Sequence, residues 1–417
     1  MNVQFRQTPA KFKVLLSRPL IPNRAKSLNA IFEYPGMPDD RRIAHIDMDA
    51  FFASCELSQY PELRGEAMVV AGRRSDAPRT NPDGTREYSR LRDYVGRGVL
   101  TTATYEARAL GVHSGMPAMK AARLAPNAIL LPVNFDLYRT YSRLFKDAVR
   151  SISPSIEDVG IDEVYADVSL TSGDSESIAR KLKSAVFEAT NLTCSVGIAP
   201  NKLLAKLCSD MQKPDGITIL KLDDVESRIW PMAASKINGV GPKAAARLAS
   251  LGITTIGEIA ARDERWLVEH FGRSYGAWLR RVSHGLDDRP VVTYSEPVSM
   301  SRETTFEQDL HAVRNRQELG AAFTRLCEQV ALDLQRKGYS ARKIGIKLRF
   351  NDFKTVTRDV TLPEPIADAK ALRRAATECL KRVELVKSIR LLGVKAGNLQ
   401  PAGEASRNES PQFTLDF

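Results

Sequence analysis

Two short acidic segments inside apolar, β-branched stretches constrain the fold of this chain more than any other feature. They are residues 46–52 (IDMDAFF) and residues 159–165 (VGIDEVY). Stretches of this composition are typical of buried strands. Because an ionised carboxylate in a buried strand is costly unless a positive charge lies against it, the sequence predicts that these acids meet a cation.

The spacing of the acids indicates which cation fits. Asp47 and Asp49 alternate onto one face of the first predicted strand. Asp162 and Glu163 are consecutive, so their side chains diverge unless the second strand is bulged or ends there. Carboxylates without a Cys or His ligand favour a hard divalent cation, above all Mg²⁺. His45 lies on the same face, and we expect it to be packed or hydrogen bonded rather than a ligand.

Two such strands side by side would gather three or four carboxylates around one point. A pair of Mg²⁺ ions about 4 Å apart can act on both the attacking and the leaving oxygen of a phosphoryl displacement. The alternative is an ordinary acidic turn at a strand end, which is typical of a single Asp-x-Asp. The presence of both segments favours the metal site.

Composition narrows the class of protein. The 417 residues are enough for two to four domains, and 43% of them are hydrophobic. Lys and Arg outnumber Asp and Glu by 61 to 50, which favours a polyanionic partner such as nucleic acid over an unpartnered basic surface. The cysteines are few and form no CxxC pair, which favours buried thiols in a reducing cytoplasm over disulfides or zinc. We find no secretion signal and no apolar run near the ~18 residues of a membrane span.

The hydrophobic pattern divides the chain into successive units. Strands and helices alternate as far as about residue 220, and a helix is predicted over 135–152 with one apolar face. Residues 73–98 form a predicted loop with seven arginines against four acids. The pattern is helical over 223–284 and extended over 291–297, and a second α+β unit covers 298–396. In that unit residues 343–350 form a predicted strand with Lys343, Lys347 and Arg349 on one face.

Two further motifs suggest binding surfaces. Residues 239–243 (GVGPK) lie between helical stretches and are typical of a helix-hairpin-helix that contacts a phosphate backbone through Gly239, Gly241 and Lys243. A plain turn between two helices is the alternative. The chain ends in an apolar peptide, 412–417 (QFTLDF), on a polar tail, so a hydrophobic groove on a partner is its expected destination. Docking on its own protein is the alternative.

Together these segments resemble the Y-family, or translesion, DNA polymerases, closest to the bacterial DNA polymerase IV (DinB-like) branch. The match runs from about residue 42 to 396 and its motifs occur in family order. They are 45–52 (HIDMDAFF), 102–111 (TATYEARALG), Asp162-Glu163, 195–206 (SVGIAPNKLLAK) and 209–216 (SDMQKPDG).

The resemblance implies an α+β multidomain, right-hand polymerase. A loosely ordered extension (1–40) would precede a palm formed by 41–50 and 130–220, with fingers at 51–129 that include the basic loop 73–98. A helix-hairpin-helix thumb (221–289) and a linker (290–297) would follow. An α/β little finger (298–397) and a flexible tail (398–417) would end the chain. Met37, just before the first predicted strand, is an alternative start.

The resemblance also implies residue roles. Asp47 and Asp162 would hold two Mg²⁺ ions with the backbone carbonyl of Met48, and Glu163 would complete the catalytic site. Asp49 would support the site without ligating. The implied substrate-binding residues are Phe51, Phe52, Thr102, Tyr105, Arg108 and Lys206, with Phe52 as the steric gate against ribonucleotides. Lysines and arginines of both DNA-binding motifs would contact primer–template DNA, and Gln412, Leu415 and Phe417 match a motif that binds the bacterial sliding clamp.

The expected activity is template-directed translesion DNA synthesis by a cytoplasmic monomer. Thr104 stands where Asn is usual and Gly160 stands where Ser is usual, and neither difference removes a catalytic group. The 73–98 loop is longer than the family norm, so the lesion preference stays open. A catalytically silent accessory protein that binds DNA and clamp is the main alternative, but such relatives lose the acidic triad, which is complete here. A nucleotidyl cyclase would not need the hairpin or the clamp peptide, and a polymerase V-like enzyme that needs activating partners is a minor possibility within the enzyme class.

Overall fold

The structure is a computed structural model that describes residues 41–72 and 77–402. The predicted N-terminal extension, Met37 and the clamp-binding residues Gln412, Leu415 and Phe417 lie outside the described residues. The strands are β1 (Ile43–Met48), β2 (Met68–Ala71), β3 (Arg79–Thr80), β4 (Arg86–Glu87), β5 (Leu100–Ala103), β6 (Ile129–Leu131), β7 (Ile156–Asp158), β8 (Glu163–Asp167), β9 (Cys194–Ala199), β10 (Ile217–Ile219), β11 (Ser299–Leu310), β12 (Tyr339–Phe350), β13 (Thr355–Ile366) and β14 (Ile389–Pro401).

Helices connect many of these strands, and the stretch between β10 and β11 is helical. None of the helices within residues 41–72 and 77–402 has the length and apolar character that crossing a bilayer requires. The α-helices are α1 (Phe51–Gln59), α2 (Tyr105–Ala109), α3 (Ala118–Leu124), α4 (Phe135–Ile152), α5 (Ser175–Thr190), α6 (Lys202–Met211), α7 (Pro242–Ser250), α8 (Ile256–Ala260), α9 (Glu264–Phe271), α10 (Arg273–Ser283), α11 (Arg316–Lys337) and α12 (Ala369–Leu380).

A five-stranded sheet with the order β10-β9-β1-β8-β7 carries both acidic segments. Its central strand β1 pairs antiparallel with β8 on one side and β9 on the other. The side chains of Ala44, Ile46 and Met48 pack with α4 and α5 in one apolar core, because alternate residues of a strand face opposite sides. The intervening residues of β1 face α6. The helix predicted over 135–152 is confirmed as α4 with its apolar face in this core.

A three-stranded sheet, β5-β2-β6, forms a second unit with α1 on one face and α2 and α3 on the other. The predicted boundary between residues 129 and 130 falls inside β6. Leu130 and Leu131 belong to β6, which pairs in parallel with Val69 and Val70 of β2. The predicted loop 73–98 also contains the small hairpin β3–β4, whose turn is held by hydrogen bonds from Thr85 to the Asp83 carboxylate.

The helical stretch after β10 contains α7 to α10 and shares a core with α6, so it packs on the face of the five-stranded sheet opposite α4 and α5. Residues 291–297 have no regular secondary structure, as the extended pattern predicted. The last unit is an antiparallel sheet, β11-β14-β12-β13, covered on one face by α11 and α12.

The strand predicted at residues 343–350 is confirmed within β12. Ile344, Ile346 and Leu348 are buried, and the lysines and arginine alternate onto the uncovered face. The strand β14 runs past the predicted end of this unit at 397 and continues to Pro401, where it pairs with Tyr339 at the start of β12. The tail therefore begins later than residue 398.

Candidate active site

The structure brings the three predicted catalytic acids to one end of the five-stranded sheet. Asp47 in β1 lies directly opposite Glu163, the first residue of β8. Asp162 comes just before that strand, and its carbonyl accepts a hydrogen bond from the Met48 amide at 3.0 Å. Because β8 begins at Glu163, the two consecutive acids need not point to opposite faces of a regular strand, and the charges of Asp162 and Glu163 interact.

Two lysines neutralise this cluster. Lys206 of α6 forms an ion pair with Glu163. Lys213, in the turn after α6, lies 2.8 Å from a carboxylate oxygen of Asp47 and 2.8 Å from one of Asp210. Two of the acids that the sequence predicted to need a cation, Asp47 and Glu163, therefore have ammonium partners in this structure.

Asp49 holds the turn that carries Lys213. Its buried carboxylate accepts hydrogen bonds from Ser195 Oγ at 2.8 Å and from the backbone amide of Asp215 at 2.8 Å. Asp49 therefore supports the site from behind, as expected. Sequence reasoning missed Lys213 as a site residue, although the 209–216 motif contains it.

His45 is buried between the carboxylates and α6. Its Nδ1 lies 2.8 Å from Ser209 Oγ and its Nε2 lies 3.3 Å from a Glu163 oxygen. Burial lowers the pKa of His45. Both ring nitrogens thus have protein partners, which agrees with the prediction of a hydrogen-bonded histidine.

The electrostatics of the three acids differ. Hydrogen bonds from His45 and Lys206 lower the pKa of Glu163 to about 2, so this carboxylate is ionised. Burial raises the pKa of Asp47, and burial together with the adjacent Glu163 charge raises the pKa of Asp162. The last two carboxylates are therefore costly to ionise unless a cation lies close to them.

The side chains fit a hard metal ion. Ligand atoms of His45, Asp47 and Glu163 lie within 4.8 Å of one another, and the Asp162 carboxylate interacts electrostatically with Glu163. A cation would offset the cost of desolvating the two ionised aspartates, which raises their pKa values. The carboxylate oxygens of Asp47 and Glu163 suit Mg²⁺ better than a softer metal.

The predicted triphosphate contacts lie on β5 and α2. Thr102 is buried in β5, and Arg108 donates a hydrogen bond to the Ala103 carbonyl at 3.0 Å while its guanidinium lies 5.0 Å from the ring centre of Tyr105. Burial raises the pKa of Tyr105, with a further contribution from the Asp49 charge. Thr104, the departure from the usual Asn, caps α2 through its side chain and accepts a hydrogen bond from the Met68 amide.

The two phenylalanines follow a sharp turn at Ala50, whose φ of 45° lies in the left-handed region. Phe51 is buried, whereas Phe52 is half-buried and its ring stacks on Tyr138 of α4 at a centroid distance of 4.3 Å.

The predicted DNA-binding residues lie in two other units, and the structure does not bring them to the carboxylates. Gly239 has a φ of +110°, and a Cβ there would meet the Trp278 ring at 2.7 Å. Gly241 precedes α7, which begins at Pro242 and places Lys243 in its first turn. On the four-stranded sheet, Lys343 pairs with Asp359, Lys347 pairs with Glu303, and Arg349 donates to Thr355.

Comparisons with known proteins support the resemblance. Residues 46–210 match the impB/mucB/samB family, and residues 297–409 match the C-terminal domain of that family. DNA polymerase IV of Streptomyces coelicolor is 38% identical over 362 residues, which cover 86% of this chain and 71% of that protein. DNA polymerase IV of Methanoculleus marisnigri is 36% identical over 86% of this chain and 95% of that protein.

Solved structures agree in fold. The Y-family DNA polymerase chimera Dbh-Dpo4(243-245)-Dbh has a TM-score of 0.70 and 26% identity, over 86% of this chain and 98% of that one. An insertion ternary complex of Dbh DNA polymerase has a TM-score of 0.57 and 25% identity over the same shares. The predicted family and the predicted α+β multidomain polymerase fold are therefore confirmed. This chain belongs to the impB/mucB/samB family of Y-family DNA polymerases and is a DNA-directed DNA polymerase for translesion synthesis.

Proposed function

We propose that Asp47, Asp162 and Glu163 are the catalytic carboxylates of this polymerase and that, with the backbone carbonyl of Met48, they hold two Mg²⁺ ions. The observation that carries this proposal is the pairing of Asp47 with Glu163 across adjacent strands, with Asp162 hydrogen bonded to the Met48 amide. When bound, the ions would stabilise charge on the attacking and leaving oxygens of the phosphoryl transfer.

The lysines have a second role in this proposal. Lys206 and Lys213 neutralise Glu163 and Asp47 in the structure. With Asp47 and Glu163 engaged in holding the metal, both ammonium groups would be available to an anion. Lys206, Thr102, Tyr105 and Arg108 would then bind the triphosphate, and Lys213 would join them. Cationic and hydroxyl donors of this kind stabilise the charge that grows on a leaving pyrophosphate.

Phe51 and Phe52 would form the floor under the incoming sugar, with the half-buried Phe52 ring as the steric gate. The position of Phe52 supports this role, because it lies at the start of α1, five residues after Asp47. A ribose 2′-hydroxyl would collide with the ring, whereas a deoxyribose would fit.

DNA binding is proposed for two surfaces. The five-stranded sheet would be the palm, the three-stranded sheet the fingers, and α7 to α10 the thumb. Gly239, Gly241 and Lys243 of the thumb would contact the phosphate backbone at the start of α7. Lys343, Lys347 and Arg349 would contact it from the uncovered face of the little-finger sheet, β11 to β14.

Binding of a sliding clamp by Gln412, Leu415 and Phe417 is supported by the sequence motif alone. We expect a monomer in the cytoplasm, a location that the five buried free thiols favour. Deletion of residues 412–417 should lower clamp-stimulated synthesis and leave synthesis without clamp unchanged. An equal loss in both assays would contradict the clamp role.

The catalytic assignment is tested by primer extension with Mg²⁺. Asp162→Asn and Glu163→Gln should reduce extension to background while binding of primer–template DNA persists. Asp158→Asn is the matched control, because Asp158 is an exposed acid on β7 that pairs with Lys146 instead. Extension at a near wild-type rate by either site variant would contradict the assignment.

A further inference from the structure

One buried carboxyl group has no part in the chemistry proposed above. Glu56 lies on α1, one helical turn after Phe52, and is almost completely inaccessible to solvent. Its side chain accepts a hydrogen bond from the hydroxyl of Tyr138, which is fully buried on α4. Burial raises the pKa values of both groups.

The same tyrosine forms the support beneath Phe52. The rings of Phe52 and Tyr138 are stacked, with centroids 4.3 Å apart and planes inclined by 20°. Phe135 meets both rings edge-on, at 6.1 Å from Phe52 and 5.9 Å from Tyr138. Contacts on the face and on the edge leave the Phe52 side chain few staggered alternatives.

The buried hydrogen bond between Tyr138 and Glu56 requires a physical explanation. Burying a carboxyl and a hydroxyl costs free energy that an apolar pair of similar size would avoid. An apolar pair would fill the space between α1 and α4 but would not fix the tyrosine ring along the helix axis. A hydrogen bond has a narrow range of distance and angle, and it therefore fixes the ring on which Phe52 rests.

The position of that ring matters for a steric gate. A gate discriminates by a collision with one hydroxyl, so a displacement of a fraction of an ångström changes its selectivity. We propose that Tyr138 and Glu56 are positioning residues that hold the Phe52 ring against the incoming sugar and so set the discrimination between deoxyribonucleotides and ribonucleotides. This inference rests on the proposed role of Phe52 as the gate.

The test compares single-nucleotide insertion of ribonucleotides and deoxyribonucleotides, as the ratio of the two kcat/KM values. Tyr138→Leu removes the stacked ring and should raise the ribonucleotide ratio about tenfold, the size of effect that small steric changes produce in apolar pockets. Tyr138→Phe keeps the ring and removes the hydroxyl, and it should raise the ratio about fivefold, the factor of a typical net hydrogen bond. Glu56→Gln keeps an acceptor oxygen for the Tyr138 hydroxyl, so its ratio should stay close to that of the wild-type protein.

The chain offers a matched control. Tyr141, on the same helix, donates to Ser58 of α1 at 3.0 Å and so links the same two helices without supporting Phe52. Tyr141→Phe should leave the ratio unchanged. Phe52→Ala should give the largest increase, and adding Tyr138→Leu to it should raise the ratio no further, because the two changes act through one ring.

The outcomes separate the two proposals. If Phe52→Ala leaves the ratio unchanged, the proposed gate itself is wrong. If Phe52→Ala raises the ratio but Tyr138→Phe does not, the positioning role is overturned. Tyr138→Phe keeps the ring volume, so it tests the proposal even if Tyr138→Leu fails to fold. An equal fall in kcat/KM for both sugars would show that the pair is merely structural and would also overturn the inference.

Discussion

Lysine–carboxylate pairs of the same length occur in two regions of this molecule with different surroundings. At the carboxylate end of the five-stranded sheet, Lys213 lies 2.8 Å from Asp47, and their side chains are 25% and 15% exposed. On the uncovered face of the four-stranded sheet, Lys347 lies 2.8 Å from Glu303, with 37% and 49% exposed. Distance alone therefore does not tell how strongly a charge depends on its partner.

The difference lies in what replaces a lost partner. On the exposed face water and salt solvate either charge, so such pairs contribute little to stability. In the partly buried cluster a charge without its partner is left uncompensated. The exposed lysines can thus exchange a carboxylate for a phosphate at little cost. The buried lysines exchange their carboxylate for a phosphate only when another cation neutralises that carboxylate.

The largest expected effect concerns a more deeply buried pair. Lys202 at the start of α6 binds both carboxylate oxygens of Glu157, at 2.6 and 2.5 Å, and their side chains are 6% and 17% exposed. The Val292 amide, after the helical unit, also donates to Glu157 at 2.8 Å. Glu157→Ala should lower the free energy of unfolding by about 3 kcal/mol, because it leaves the Lys202 charge unpaired.

Calorimetric unfolding measures this loss of free energy. Glu303→Ala is the matched change at an exposed ion pair. That change breaks the pair with Lys347 and should alter the free energy of unfolding by no more than about 0.5 kcal/mol. Similar values for the two variants would refute the distinction between the regions.

The next effect concerns catalysis. Lys213→Ala should lower kcat/KM for nucleotide insertion about 100-fold, the size typical for removal of one preorganised donor to a developing negative charge. The physical reason is that Asp47 loses its ion-pair partner and the proposed triphosphate site loses a cation. Lys213→Arg should recover part of the activity, because it restores the charge.

Lys347→Ala is the matched change in the other region. It removes a lysine from an ion pair of the same length and should lower kcat/KM less than about threefold at low salt. If Lys347→Ala were the more harmful change, the comparison would be reversed and Lys213 would not belong to the active site.

An intermediate case sharpens the comparison. Arg97 of the 73–98 loop lies 2.5 Å from Asp309 and also donates to the Phe306 carbonyl at 3.1 Å, with 25% and 28% of the two charged side chains exposed. Both partners lie where the register of β11 breaks between Thr305 and Leu310. A double-mutant cycle of Arg97→Ala and Asp309→Ala should give a coupling energy of about 1 kcal/mol.

Arg92→Ala, an exposed arginine of the same loop, is the control and should show no coupling with Asp309→Ala. A coupling energy near zero for Arg97 would place this contact with the exposed pairs.

Sequence reasoning predicted what is local in this molecule. The apolar period of 3.6 residues gave the bounds of α4, and alternation gave the faces of β12, because each pattern depends only on near neighbours in the chain. The acidic segments also predicted their own convergence, since the cost of buried charge leaves few alternatives. The resemblance to a known family added the residue roles.

What the sequence could not predict are partners chosen across long separations. Lys213 lies against Asp47 from a turn in which Asp49 accepts a hydrogen bond from the Asp215 amide, and the 209–216 motif does not by itself indicate this pairing. The partner of Arg97 is likewise set by a register break in a distant strand. The strand β14 extends beyond the predicted end of its unit because pairing with Tyr339, not the polar composition of the segment, decides where the strand stops.

The smallest effect is expected on the uncovered face of the four-stranded sheet. Each lysine that contacts a DNA phosphate releases about one counterion, so Lys347→Ala should reduce the slope of log affinity against log salt concentration by up to about 0.9. The reduction should fall short of that value, because Lys347 must first leave Glu303 and the freed carboxylate repels the same phosphate. Removing that carboxylate as well should restore part of the lost affinity at low salt.

Lys381→Ala is the control for this measurement, because Lys381 follows α12 on the covered side of the sheet and pairs with Glu378. Its slope should equal that of the unaltered protein. If the Lys347 and Lys381 variants have the same slope, the exposed face does not bind DNA. The weak pairs on that face would then have only the solubilising role of ordinary surface charges. The two regions would in that case differ in burial but not in function.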